Sequence, residues 1–450
     1  MSTWQDLVTA ALIGTERTGV PAAAVPGLPF PADASPDIPF PNNPVSDDPV
    51  SLLLDRAALL TVARRGGRPA EHLAPLPAAE PDLAPAVSPA AGRRLARMLG
   101  GTHADLLTEW LTAAVARGLR VPAHLLPALL DRARRVTPAD PELRRLAAEA
   151  GGSRALWLAD LNRDWMFVTA YGLPDQDAWR LGGKEQRRGY LASLRARDPS
   201  AARELVAASW ESAGPERVMF LSVLAAESAR LSLADEPLLE AALGDRYAEV
   251  RDRAAALLAR LPGSALGQRM AERALGCLSL HQGSRGARLI ARPPVQSDAA
   301  MRREGIRPGS SALLTDLAGR AHLMVEVLAR TPLRTWTEEF GRSAEQILAL
   351  PSDGWAPVLF TGWAGAAVAQ RDQEWMTALM NWALAGGLPG TPADAEALRR
   401  LARAVDPALA APGTTASLLA ATLPALRDAL GVLRFRYQML KELDDDDSAG

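Results

Sequence analysis

The chain has 450 residues, with 50 basic and 52 acidic side chains and a formal net charge of -2. That length exceeds an ordinary single core, and that balance excludes a chain governed by bulk attraction to nucleic acid or to an anionic membrane surface. Cys277 is the single cysteine, which excludes an intrachain disulfide and a cysteine-rich zinc site and predicts a reducing, cytoplasmic setting.

The first element in chain order is residues 3–17, "TWQDLVTAALIGTER". Trp4, Leu7, Val8, Ala11 and Leu12 follow steps of three, one, three and one, which set them on one helical face. Thr3 and Asp6 have the spacing of a capping box, and Gly14 is a natural stop. No basic stretch precedes Asp6 and Glu16, so no secretory signal is predicted. Residues 18–50 hold nine prolines and no periodicity, which predicts an extended linker. Residues 51–66, "SLLLDRAALLTVARRG", predict a second helix stopped by Gly66 and Gly67, and another proline-rich run covers 69–89. The segments "AGRRLARMLGG", "ADLLTEWLTAAVARGL" and "PAHLLPALLDRARRV" are short, amphipathic and bounded by glycine or proline. Residues 51–150 therefore predict antiparallel helical pairs. The tethered first helix is expected to dock on those pairs, with capture by a partner as the alternative, because Trp4 and Leu12 left free would present apolar surface.

The region 151–275 carries the repeat signal. "EQRRGYLASLRARDPSAARELVAASW", "PERVMFLSVLAAESARLSLADEPLLEAAL" and "AEVRDRAAALLARLPGSALGQRMAERAL" align as three helix pairs. Leu191 and Leu194 correspond to Leu221 and Leu224, then to Ala254 and Leu257, offsets of 30 and 33 residues. Two-helix units of that length belong to the solenoid class. In the third unit Val250, Ala254, Leu257, Leu258 and Leu261 are expected to be buried, and Asp198 with Pro199 predicts a helix start. From 276 to 310 the regularity lapses into two β-prone runs around Gly-Ser-Arg-Gly, a small irregular or β-hairpin insertion. Helices resume over 311–443, with capping-box spacings at Thr335/Glu338 and Thr391/Asp394, and 444–450 is an acidic tail. The uncharged stretch 354–370 contains Pro357 and falls short of the ~20 apolar residues of a membrane span, so it predicts a buried helix. The fold class is all-α, an α-solenoid of HEAT/armadillo-like helical pairs.

No chemistry-bearing constellation emerges. His72, His103, His124, His281 and His322 are isolated from one another, so no metal ligand set is predicted. "RLGGKEQ" around Lys184 lacks the first glycine and the Ser/Thr of a phosphate loop and reads as a helix start. Cys277 has no basic neighbour to activate it and reads as a packing residue. Carboxylates fall at helix starts or in alternating charge patterns, as on solvated faces. No catalytic, metal or cofactor-binding residue is therefore predicted. Trp355 with Trp363, and Trp375 with Trp382, share helical faces at spacings of eight and seven. Core packing explains them, with an exposed platform for a base or peptide as the alternative. Arginine exceeds carboxylate at 93–145, ten against five, and at 285–307, six against two. Such excesses suit an acidic partner or nucleic acid.

"WQDLVTAALIGTER", "LLTEWLTAAVARGLRVPAHLLPALL", "LWLADLNRDW", "LADEPLLEAALGDRYAEVRDRAAALLARLPGS" and "RREGI" followed by "LARTPLRTW" resemble the successive signatures of an uncharacterised bacterial family of helical-repeat, HEAT-like proteins. Members are often encoded beside a MoxR-type AAA+ ATPase, a von Willebrand factor A protein and a SWIM zinc-finger protein. The resemblance spans almost the whole chain, departs at the long proline-heavy linker after Arg17, and carries over no catalytic residue or cofactor. It implies a non-enzymatic scaffold or adaptor with protein partners, plausibly that ATPase or the von Willebrand factor A protein. The alternative is a nucleic-acid-binding protein resembling HEAT-like DNA glycosylases. Candidate partner-binding residues are Trp4, Glu16 and Arg17 on the first segment and Arg251, Arg253, Arg302, Arg303 and Arg307. One continuous groove formed by those five arginines with an exposed tryptophan would favour the nucleic-acid reading.

Overall fold

The computed structural model describes residues 3–21, 48–66, 76–135, 141–171, 176–226, 231–284, 286–307, 317–388, 391–411 and 424–444. Most of the proline-rich linker, part of the second proline-rich run and the tail beyond Asp444 lie outside the described residues. The chain divides into two compact units, Met1–Ala78 and Ala79–Gly450. Among the described residues there are 22 α-helices and one two-stranded sheet, so the protein is all-α in class. None of those helices is long and apolar enough to cross a membrane.

In the first unit, the helix Thr3–Ile13 packs on the helix Pro49–Gly66 through Leu7 and Ala10 against Leu53 and Leu60. Trp4, Val20 and Ala57 flank this small core, and Arg56 donates to the Val20 and Pro21 carbonyls. The buried stripe differs from the predicted face. Val8 and Leu12 are exposed, because a single partner helix covers only the Leu7–Ala10 stripe and leaves the rest of the circumference open.

In the second unit, helices begin where the sequence supplies caps. Ser88 accepts from the Ala91 N–H with Pro89 at the first helical position, Asp198 accepts from Ser200 and Ala201, and Ser264 from Gly267. Thr391 and Asp394 form the predicted reciprocal pair at 3.3 and 2.8 Å. Thr335 and Glu338 do not. The helix Arg334–Phe340 starts one residue earlier, and the nearby box is Ser343 with Gln346, opening Ala344–Leu348. The β-prone runs pair as the antiparallel strands Leu278–Gly283 and Gly286–Ala291, register Gly283 to Gly286. Gly286 takes φ +103°, a conformation glycine adopts without a Cβ penalty.

The three aligned segments form consecutive helix pairs: Lys184–Arg197 with Pro199–Ala213, Arg217–Ala226 with Glu236–Ala242, and Ala248–Leu258 with Ala265–Cys277. The first helices of the three pairs touch in succession. Leu191, Leu221, Leu224, Ala254 and Leu257 are all buried, and Leu194 is half-buried. The succession continues from Ala265–Cys277 through Leu317–Leu328, Ala356–Gln370 and Pro392–Ala404 to Pro424–Asp444. Helices Leu317–Leu328 and Ala356–Gln370 come so close that a Cβ on Gly362 would lie 2.6 Å from that of Leu328.

The last helix then meets the first helices of the unit, Pro89–Leu99 and Leu107–Ala116. Arg94 pairs with Glu442, Arg117 with Asp444, Arg403 with Asp105 and Arg436 with Glu109. The His103 and Phe435 rings sit 4.5 Å apart. Contacts linking residues roughly 300 or more apart depart from a strictly nearest-neighbour array, in which each repeat touches only the next. Leu95, Met98, Leu107, Leu111, Leu433 and Met439 consequently belong to one contiguous core.

Several buried charges are paired with one another. Arg195 and Asp235 are both fully buried and joined at 2.9 and 2.8 Å, and Asp235 also accepts from the Ser232 N–H. Buried Glu304 accepts from Arg269 and Arg273. At Asp82 burial pushes the carboxyl up, but the Ser153 N–H and hydroxyl and the Arg120 guanidinium outweigh it and hold the group below its ordinary range.

Candidate functional site

Because the first helices of the three pairs run side by side, their N-termini gather along one edge. Lys184 is the first residue of its helix, the short turn Gly214–Glu216 leads into Arg217–Ala226, and Ala248 begins the third. A cleft of about 530 Å³ opens between them, lined by Lys184, Arg188, Val218, Met219, Glu249 and Arg253, with Pro215, Ser222, Tyr247 and Ala248 completing it. Glu185 holds both Arg188 (2.7 Å) and Arg144 (2.8 Å), so two guanidiniums share one carboxylate. Gly183 donates its N–H to the Gln186 side chain at 2.9 Å, which fixes the start of the first helix.

The five arginines singled out in the sequence do not form a free basic groove. Arg251 donates to the Asp245 and Arg246 carbonyls at 2.7 and 3.1 Å, fastening the turn before its own helix. Arg253 lies 3.5 Å from Glu249. Arg302 donates to the Ser297 carbonyl at 2.7 Å, and Arg307 pairs with Asp252. Arg303 is exposed on Ala299–Arg303. Thus Arg251, Arg253 and Arg307 are brought to the helix Ala248–Leu258, and four of the five arginines have an internal carboxylate or carbonyl. In the first unit, Trp4 is half-buried in the small core, whereas Glu16 and Arg17 are exposed on the short helix Thr15–Thr18.

The tryptophans pack. Trp336, Trp363 and Trp375 are buried, with Trp363 rings 6.1 and 5.5 Å from those of Trp336 and Trp375, and half-buried Trp382 stacks on Phe360 at 5.7 Å. Half-buried Trp355 packs on the same core. These contacts support the packing reading over an exposed platform. Cys277 is also a packing residue, and burial pushes its thiol above the ordinary range. Its reaction with a disulfide reagent at pH 8 is therefore expected to be more than ~10-fold slower than that of the unfolded chain, measured by absorbance with and without denaturant. Equal rates would show that the thiol is open to solvent.

Sequence reading missed Lys184 and Arg188. Lys184 was weighed only against a nucleotide loop, and Arg188 reads as one more helix-face arginine. The available signal was the repeat register: the offsets of 30 and 33 residues carry Lys184 to Gly214 and Tyr247, and Arg188 to Val218 and Arg251. Equivalent positions in stacked helices lie along one edge.

Among the described residues, no group of three or more His, Cys, Asp or Glu side chains is arranged to hold a metal ion. No curated protein and no solved structure matches the chain. A family model does match, over residues 6–438, from the first helix into the last, and the chain belongs to that family, DUF5691, a family of unknown function.

Proposed function

We propose that the protein is a non-enzymatic scaffold, an α-solenoid of HEAT/armadillo-like helical pairs that binds protein partners as an accessory of a MoxR-type AAA+ ATPase and a von Willebrand factor A protein. The observation that carries this reading is the side-by-side succession of the first helices of three consecutive pairs, which presents a continuous edge rather than an enclosed reaction centre. Contacts between the last and first helices of the second unit do for this array what polar end repeats do in an open one, since each terminal face covers the other. The internal hydrogen bonds of Arg251 and Arg302 and the pairing of Arg307 with Asp252 favour a protein partner over nucleic acid, because a phosphate would have to displace those contacts.

Co-expression with a MoxR-type ATPase and a von Willebrand factor A protein, followed by size exclusion with light scattering, tests the reading. A complex that survives about 0.3 M salt is expected, whereas binding through phosphates would weaken by orders of magnitude over that range. Failure to bind either protein, together with salt-sensitive binding to a DNA or RNA duplex, would establish the nucleic-acid reading in its place.

A further inference from the structure

We infer that the cleft between Lys184, Arg188 and Arg253 is where this chain takes an acidic segment of its protein partner, one carboxylate entering beside Arg188. The inference rests on the scaffold reading and supplies the chemistry of the partner.

Three observations converge on that cleft. The first is a counter-charge shared between two guanidiniums. Arg188 is only 1% exposed, its one side-chain hydrogen bond is to Glu185, and its buried Nε has no partner. Glu185 is divided between Arg188 and Arg144, so a buried guanidinium rests on half of a carboxylate's capacity. Such a group is stabilised by a further anion more than an exposed arginine is, because the surrounding protein screens less than water. The second is the electrostatics of the backbone. Three helix starts meet at this edge, and the positive ends of their dipoles add to the field of Lys184 and Arg253. Lys184 is exposed and makes no ion pair among the described residues, and the Arg253 Nε, like that of Arg188, is buried without a hydrogen-bond acceptor there.

The third observation selects a peptide over a bare anion or a nucleic acid. Part of the lining is apolar, supplied by Pro215, Val218 and Met219 beside the buried Ser222, and about 530 Å³ accommodates several side chains rather than one phosphate. Glu249 stands at the rim beside Arg253. A rim carboxylate disfavours a densely charged polyphosphate backbone yet tolerates an acidic peptide, whose charges are spaced by its chain.

The chain's two lysines make the test direct. Fluorescein-labelled octaglutamate is titrated by anisotropy in about 0.05 M salt, where surface charges remain coupled over more than ~10 Å. Saturable binding is expected, weakened about tenfold in Lys184→Glu and in Arg253→Glu, unchanged in the charge-matched Lys441→Glu, and tightened a few-fold in Glu249→Gln. Thermal melts establish that each variant is folded. Reductive methylation read by mass spectrometry checks the location on unaltered protein, with octaglutamate expected to protect Lys184 and leave Lys441 reactive. Equal loss in Lys441→Glu, equal protection of both lysines, absence of binding, or displacement of the peptide by a shorter-than-stoichiometric amount of duplex DNA would each overturn the inference. If the peptide fails while the co-expressed proteins still assemble, the cleft assignment falls and the scaffold reading stands. If neither binds, the scaffold reading falls as well.

Discussion

Leu257→Asp is expected to lower the free energy of unfolding by roughly 4 kcal/mol or more, enough to leave the second unit largely unfolded at ambient temperature. Leu257 is 2% exposed near the end of Ala248–Leu258, a helix that touches both Arg217–Ala226 and Glu236–Ala242. A carboxylate there finds apolar neighbours instead of a cation, so it either stays charged at a high desolvation cost or is protonated at a smaller one. Its neighbour Ala256 is exposed on the same helix, and Ala256→Asp is expected to change stability by less than about 0.5 kcal/mol. Urea unfolding followed by circular dichroism separates the two. Equal midpoints for the pair would mean that the helix is rotated from the register described.

That register was legible before the structure because it depends on local periodicity. Val250, Ala254, Leu257, Leu258 and Leu261 recur at helical spacing, and each is buried. The hairpin was legible for the same reason, from β-prone runs on either side of a glycine-bounded turn. What periodicity does not carry is the identity of the partner. The first helix has apolar residues on more of its circumference than one neighbour can cover, so periodicity alone does not select Ala10 over Val8 or Leu12. The arginines posed a related problem. A count of ten against five at 93–145 looks like free positive charge, yet Arg94 and Arg117 meet Glu442 and Asp444, residues more than 300 positions away. Charge balance along the chain says nothing about balance in space. The Glu185–Arg188 pair follows from i,i+3 spacing on one helix, but the arrival of Arg144 from another helix at the same carboxylate is a contact that no spacing encodes.

The contact between the ends of the second unit yields the other large effect. Arg436→Ala is expected to cost about 3–5 kcal/mol, the range seen when one member of a buried ion pair is removed. Arg436 is 5% exposed and connects three elements. Its Nε and Nη2 hold both oxygens of Glu109 at 2.7 to 3.0 Å, while Nη1 donates to the Ala402 and Val405 carbonyls at 2.8 and 2.6 Å. Glu109 lies in the first turn of Leu107–Ala116, where a negative charge is favoured, and the two carbonyls belong to the end of Pro392–Ala404, where a positive charge is favoured. The guanidinium therefore completes a C-terminus, pairs with a residue at an N-terminus, and fastens the last helix between them. Arg117→Ala provides the comparison. Its partner Asp444 is more than half exposed, and an exposed pair contributes under about 1 kcal/mol. If Arg436→Ala and Arg117→Ala shift the unfolding midpoint equally, the contact between the first and last helices of the unit is superficial. If Arg436→Ala alone is severe, Glu109→Gln should recover part of the loss in the double variant, because the amide removes the stranded negative charge. Recovery in that double-mutant cycle would tie the stability of the whole second unit to the one place where its first and last helices meet.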